Sequence, residues 1–152
     1  MITESANDQR SQTILLVEDS DDDYEATMRA FKKANLHNPV HWCNSGQAAL
    51  DFFRELNHDS PRPGVILLDL NMPGLDGRKT LKLLKENSRT MYIPVIILTT
   101  SDDERDVEEC YRSGANTYVK KPITFDGLIE AIKRLGEYWF EIAILPKGVN
   151  HE

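Results

Sequence analysis

No stretch of this sequence is apolar for long enough to span a bilayer, and the polar N-terminus lacks a signal-peptide pattern. The cytoplasm is therefore the expected compartment, with no membrane partner. Cysteine is scarce. Cys43 and Cys110 stand far apart without metal-ligand spacing, which excludes a disulfide framework and predicts two reduced, buried thiols. Basic charge is also short: 18 Lys and Arg against 25 Asp and Glu leave a formal net charge of −7. That balance argues against direct DNA binding, which needs a basic face, but it suits a protein partner or a bound cation. There is no internal repeat. No Gly-rich or Ser/Thr-rich phosphate cradle follows the first apolar run, where Glu18-Asp19-Ser20-Asp21 would repel a phosphate. At 152 residues the chain is expected to form one domain around one core.

What is present is a regular alternation. Thr13–Val17, Val65–Leu68 and Val95–Leu98 are short apolar runs, read as strands buried on both faces; Val40–Cys43 is a mixed run nearer a sheet edge, and Thr117–Val119 a final short strand. Each is followed by a helical pattern. Tyr24, Met28 and Phe31 share one face after Asp21-Asp22-Asp23; Ala49, Phe52, Phe53 and Leu56 follow Ser45; Leu81 and Leu84 follow Asp76. Asp102 to Arg112 forms a sparsely apolar helix with Val107, Cys110 and Tyr111 on one side, ended by Gly114. Leu128, Ile132, Leu135 and Trp139 mark the last helix, with Phe125 and Ile129 beside them. Five strand–helix units in strict alternation predict an α/β fold, a doubly wound parallel sheet with helices on both faces. The expected division is a flexible lead-in over residues 1–12, a domain over 13–138 and an apolar C-terminal extension over 139–152.

In such sheets ligands bind beyond the carboxyl ends of the strands. There the first strand delivers Glu18 and Asp19, the third Asp69, the fourth Thr99 and the fifth Lys121. Taken singly, each has a plain structural role as a turn residue, a helix cap or a solvated charge. Their joint arrival at one edge points to chemistry. Three carboxylates on one rim repel one another, and Lys121 alone does not balance them. A hard divalent cation, Mg²⁺ (or Mn²⁺), suits that oxygen-rich set. A cation beside a carboxylate, a hydroxyl and an ammonium suits phosphoryl transfer, with Asp69 on the central strand as the nucleophile that forms an acyl phosphate.

Glu18-Asp19, Asp69, Thr99 and Lys121-Pro122, in this order on five βα units, resemble the receiver domain of two-component response regulators, over about Thr13 to Glu137. The resemblance implies a flavodoxin-like, CheY-like sheet of strand order 2-1-3-4-5. It implies that Asp69 is the phosphoacceptor, charged by a sensor histidine kinase, and that Glu18, Asp19, Asp69 and the backbone carbonyl of Asn71 hold the metal. Thr99 corresponds to the switch hydroxyl, Tyr118 to the aromatic switch position and Lys121 to the phosphate-binding lysine. Pro122 follows it, often after a cis bond. Lys121 rather than Lys120 matches because of the following proline, and Thr99 rather than Thr100 because it comes first after the apolar run. Asn71 and Ser101 stand two residues beyond the nucleophile and the switch threonine, where they are expected to influence the hydrolytic water.

Two rival readings share parts of this pattern. A haloacid-dehalogenase-like phosphatase also uses an Asp nucleophile and Mg²⁺, but it wants a second Asp where Asn71 stands. A phosphate-independent pseudo-receiver would keep the fold without the chemistry. Few residues follow the last helix, so a stand-alone receiver is expected, acting as a signalling switch on an unknown downstream protein rather than as an enzyme. The ending Glu137–Pro146 is rich in large apolar residues that need burial. Either they fold back on their own subunit or they join the helix 4–strand 5–helix 5 face in a homodimer, the expectation adopted here. The extended loop before the central strand, His58 to Gly64, and the ending Tyr138-Trp139 to Leu145-Pro146 resemble the small response regulators paired with cyanobacterial phytochromes. That implies a light-regulated histidine kinase as donor.

Overall fold

The computed structural model describes residues 9, 11–57 and 59–146. Strands β1 (Ile14–Val17), β2 (Val40–Cys43), β3 (Val65–Leu68), β4 (Val95–Thr99) and β5 (Thr117–Lys120) alternate with helices α1 (Asp21–Lys33), α2 (Gly46–Glu55), α3 (Gly77–Glu86), α4 (Glu104–Arg112) and α5 (Phe125–Glu137). All pairings are parallel, as the alternation predicts, and the order is β2-β1-β3-β4-β5, as the resemblance implies. A π-helical turn, Tyr138–Ile142, extends α5.

The side-chain period of two in a strand sorts the core into layers. Leu15, Val17, Ile66, Leu68, Val95 and Ile97 face α2, α3 and α4, meeting Ala49, Phe53, Leu81, Leu84 and Cys110. Ile14, Leu16, Val65, Leu67, Ile96 and Leu98 face α1 and α5, meeting Ala30, Phe31, Leu128 and Ile132. The three inner strands are buried along their whole length because helices cover both faces, while edge strand β2 leaves His41 exposed. Both cysteines are free and buried.

Each helix starts on a side-chain cap: Ser20, Ser45, Asp76, Asp103 and Thr124 accept from backbone N–H groups of the first turn. Gly114 sits at φ +109°, the left-handed conformation that ends α4. Helix α4 begins at Glu104, not Asp102: Asp103 takes the cap, while Asp102 stays outside it and pairs with Lys120 at 3.0 Å.

Three further expectations are modified. Tyr111 does not join the buried side of α4. It is 49 % exposed, and its hydroxyl accepts from the Tyr118 amide at 3.1 Å. The lead-in is not loose throughout. Residues 1–8 and 10 lie outside the described residues, but Gln9 is helical; its amide nitrogen donates to the Ala143 carbonyl at 2.9 Å, and its side-chain oxygen accepts from the Leu145 amide at 2.9 Å. The C-terminal extension divides residue by residue up to Pro146, with 147–152 outside the described residues. Phe140 and Leu145 are buried in the same subunit's core, at 5 % and 7 %, whereas Ile142 and Ile144 are 69 % and 92 % exposed. Each buried side chain contributes about 1.5–3 kcal/mol, enough to hold this segment down.

Candidate functional site

Because β1, β3, β4 and β5 are parallel and in register, their C-terminal ends reach one edge together. Glu18 follows β1 and is 2 % exposed; Asp69 follows β3 and is 7 % exposed. With the solvent-accessible Asp19, each offers a carboxylate oxygen, and these oxygens lie within 4.8 Å of one another. It is the one such cluster of His, Cys, Asp and Glu among the described residues.

The loop that carries Asp69 is fixed by close packing. Gly77, the first residue of α3, lies so tightly against this loop that a Cβ there would run into the Asp69 carbonyl oxygen and come within 2.6 Å of the Leu70 Cα. Its amide donates to the Leu70 carbonyl at 3.0 Å. The Asn71 amide donates to Asp69 Oδ1 at 3.4 Å, and the Asn71 side-chain nitrogen donates to Thr99 Oγ1 at 3.3 Å. Thr99 is fully buried at the end of β4, whereas Thr100 is exposed.

Lys121 enters from β5, where its amide donates to the Thr99 carbonyl at 2.6 Å. Its ammonium lies 2.8 Å from Glu18 Oε1 and 3.2 Å from Asp23 Oδ2, not on Asp69. Lys120 points away to Asp102. The Lys121–Pro122 bond is trans. Tyr118 packs partly buried against the core, and its hydroxyl donates to the Ser101 carbonyl at 2.9 Å.

The electrostatics match the crowding. Burial pushes the Glu18 carboxyl above its ordinary value; the Lys121 hydrogen bond and charge pull it back, and Asp69 pushes it up again. Burial would lower the Lys121 ammonium, but the Glu18 hydrogen bond and charge, then Asp69 and Asp23, outweigh that and raise it. Lys121 is thus held charged among carboxylates that still carry excess negative charge. Such an edge, all hard oxygen donors with one ammonium, fits a small divalent cation.

Three contributors escaped the sequence reading. Asp23 was assigned only to the helix dipole in the first turn of α1, yet it pairs with Lys121. Strand β2, which brings no charge, supplies Trp42: its indole N–H donates to the Glu18 carbonyl at 2.7 Å, and its ring stacks on Tyr24 at 3.9 Å. Arg78 on α3 grips Asp106 on α4 with two bonds of 2.8 Å, and Ser101 donates to the same carboxylate at 2.8 Å. Only the Asp23 position, one turn after a strand-end acidic pair, carried a signal in the sequence.

Residues 14–133 match the response regulator receiver domain family. The chain is 38 % identical over 128 residues to the probable methanogenesis regulatory protein FilR2 of Methanothrix harundinacea, covering 83 % of this chain and 82 % of that one. It is 36 % identical over 137 residues to response regulator Rcp1 of Synechocystis sp., covering 89 % and 93 %. The crystal structure of the Mn²⁺-bound form of Rcp1 superposes with a TM-score of 0.80, covering 89 % of this chain and 99 % of that one. The phosphorylated cyanobacterial phytochrome response regulator RcpA, 32 % identical, superposes with a TM-score of 0.81, covering 89 % and 98 %.

Proposed function

We propose, from the premise that this chain belongs to the response regulator receiver family, that Asp69 is its phosphoacceptor in a two-component relay. The observation that carries this is the meeting of the Glu18, Asp19 and Asp69 carboxylates at one strand edge, with Lys121 as the counter-charge. One Asp69 carboxylate oxygen attacks the phosphorus of a phosphohistidine on a sensor kinase. The new P–O bond forms as the P–N bond breaks, and the leaving imidazole nitrogen takes a proton. Glu18, Asp19, Asp69 and the Asn71 carbonyl would hold a divalent cation, which when bound neutralises the phosphoryl oxygens. Asp69 on its fixed loop supplies the nucleophile. Lys121, paired with Glu18 at rest, moves to the new phosphoryl group, and Thr99, already tethered through Asn71, supplies a hydroxyl to it. The loop after Thr99 then shifts, Tyr118 reorients, and the α4–β5–α5 face changes its affinity for a downstream protein.

Asn71 in place of a second Asp leaves no acid–base group for fast turnover of an outside substrate, so the protein acts as a switch, limited to its own phosphorylation and dephosphorylation. It works in the cytoplasm. The named roles of Rcp1 and RcpA support a phytochrome-type histidine kinase as the donor. Exposed Ile142 and Ile144 beside the buried Phe140 support a homodimer that uses this extension with the α4–β5–α5 face. Sedimentation of the protein as a monomer at all concentrations, with and without phosphorylation, would sink the dimer.

The phosphoacceptor is tested by incubation with Mg²⁺ and a small acyl phosphate, followed by intact-mass measurement. One added phosphoryl group is expected, absent in a folded Asp69→Asn variant. Labelling that survives this substitution overturns the assignment.

A further inference from the structure

The loop after β4 must move if Thr99 is to follow a phosphoryl group, yet it is held by side chains from three elements. Ser101 donates from Oγ to Asp106 Oδ2 at 2.8 Å, and its carbonyl accepts the Tyr118 hydroxyl at 2.9 Å. Asp106 is itself immobilised: Arg78 Nε reaches Oδ1 and Arg78 Nη2 reaches Oδ2, both at 2.8 Å. Arg78 is the second residue of α3, next to Gly77, whose backbone sits against the Asp69 carbonyl. One turn of helix therefore buttresses the phosphoacceptor loop and, through a planar two-bond fork, holds the loop that responds to it.

We propose that Arg78 and Asp106 are positioning residues for the switch: their ion pair clamps Ser101, holds the β4–α4 loop in its resting place and so slows phosphoryl uptake. The inference rests on Asp69 being the phosphoacceptor. A contact present only in the resting state biases a two-state equilibrium toward that state, and removing it shifts the balance the other way. The fork matters because two parallel bonds fix orientation as well as distance, which a lysine cannot do. The Asp106 carboxyl is drawn down to about 2 by Arg78 first, against a burial effect that Ser101 and further charges help to offset. It is therefore ionised throughout the physiological range, and the clamp responds to loop movement rather than to pH. Lys120 and Asp102, both largely exposed, add a weaker tie to the same loop.

Two measurements on the full chain test this. The first is the rate of phosphoryl uptake from a small acyl phosphate with Mg²⁺. Arg78→Met and Ser101→Ala are each expected to accelerate uptake about fivefold, with Arg78→Lys between them and the parent. The second is amide hydrogen exchange without any donor, where residues 100–106 of Arg78→Met are expected to exchange about fivefold faster while α2 is unchanged. Uptake at the parent rate in Arg78→Met, even with a lowered melting temperature, overturns the proposal, because the pair would then be a structural tether between α3 and α4. Unchanged exchange in the loop overturns it too. If the parent itself takes up no label, the phosphoacceptor reading has failed separately, and the exchange measurement alone decides whether the loop is clamped.

Discussion

At the N-terminal edge of the sheet, polar side chains meet protein partners. Asn38 donates to the carbonyls of Gln9 and Gln12, Asn116 accepts from the Val95 amide, Lys85 donates to the Met91 and Ile93 carbonyls, and Gln9 clasps the C-terminal segment. At the C-terminal edge, Glu18, Asp19 and Asp69 cluster together, and the Lys121 ammonium reaches Glu18 and Asp23. Both edges carry polar side chains, but they are differently balanced. The first uses neutral amides and one lysine to tie loops and the C-terminal segment to backbone groups. The second keeps charges of one sign close together, which costs stability and is retained where a cation and a phosphoryl group complete the account.

Removing the ammonium that pairs with Glu18 and Asp23 at the C-terminal edge is expected to have the largest effect on stability. Lys121→Met leaves Glu18, 3 % exposed at the side chain, without its partner. Urea denaturation should show a loss of about 3 kcal/mol, as for other broken buried pairs. An undiminished midpoint would mean that Glu18 is protonated or hydrated and that the edge is less strained than argued. Next comes Gly77→Ala, whose Cβ meets backbone rather than a flexible side chain. It should cost about 2 kcal/mol and, by displacing Asp69, slow acyl-phosphate labelling, a joint effect that no change at the other edge should produce.

Gln9→Ala probes the closed edge. Losing its bonds to Ala143 and Leu145 should cost about 1.5 kcal/mol, with labelling at Asp69 unaltered. A changed labelling rate would show that the two edges are coupled. The smallest effect concerns acid. The Asp106 carboxyl titrates at about 2 in the folded chain against an ordinary 3.8. A depressed carboxylate adds stability that is full above the unfolded value and lost as pH falls through the folded one. Stability should therefore drop by about 1 kcal/mol between roughly pH 4 and 2, the figure being reduced for the one-third exposure of Arg78. That drop should be missing in Arg78→Met.

Much of this was legible in the chain itself. Continuous apolar runs of four or five residues cannot be half-exposed strands, so helices had to cover both faces, and strict alternation then made the sheet parallel. A parallel sheet sends all its strand ends to one side, which by itself brings Glu18, Asp69, Thr99 and Lys121 to one edge. The placing of Ser45 and Asp76 before helical patterns marked two of the helix starts, because a cap needs only local geometry. Tyr111 and the tail read less well. Whether an apolar side chain on a sparsely apolar helix is covered depends on neighbours far along the chain, as does the division of the C-terminal segment into buried Phe140 and Leu145 and exposed Ile142 and Ile144.

Local order, the parallel sheet and the identity of the strand-end residues follow from hydrophobic period and chain direction, which are properties of neighbouring residues. Tertiary structure decided the pairings: Lys121 with Glu18 and Asp23 across 103 and 98 residues, Trp42 with the Glu18 carbonyl, Arg78 with Asp106, and Gln9 with Ala143. Side-chain partners are chosen by distance in space, and no periodicity records which of several acids a lysine will reach once the sheet has closed.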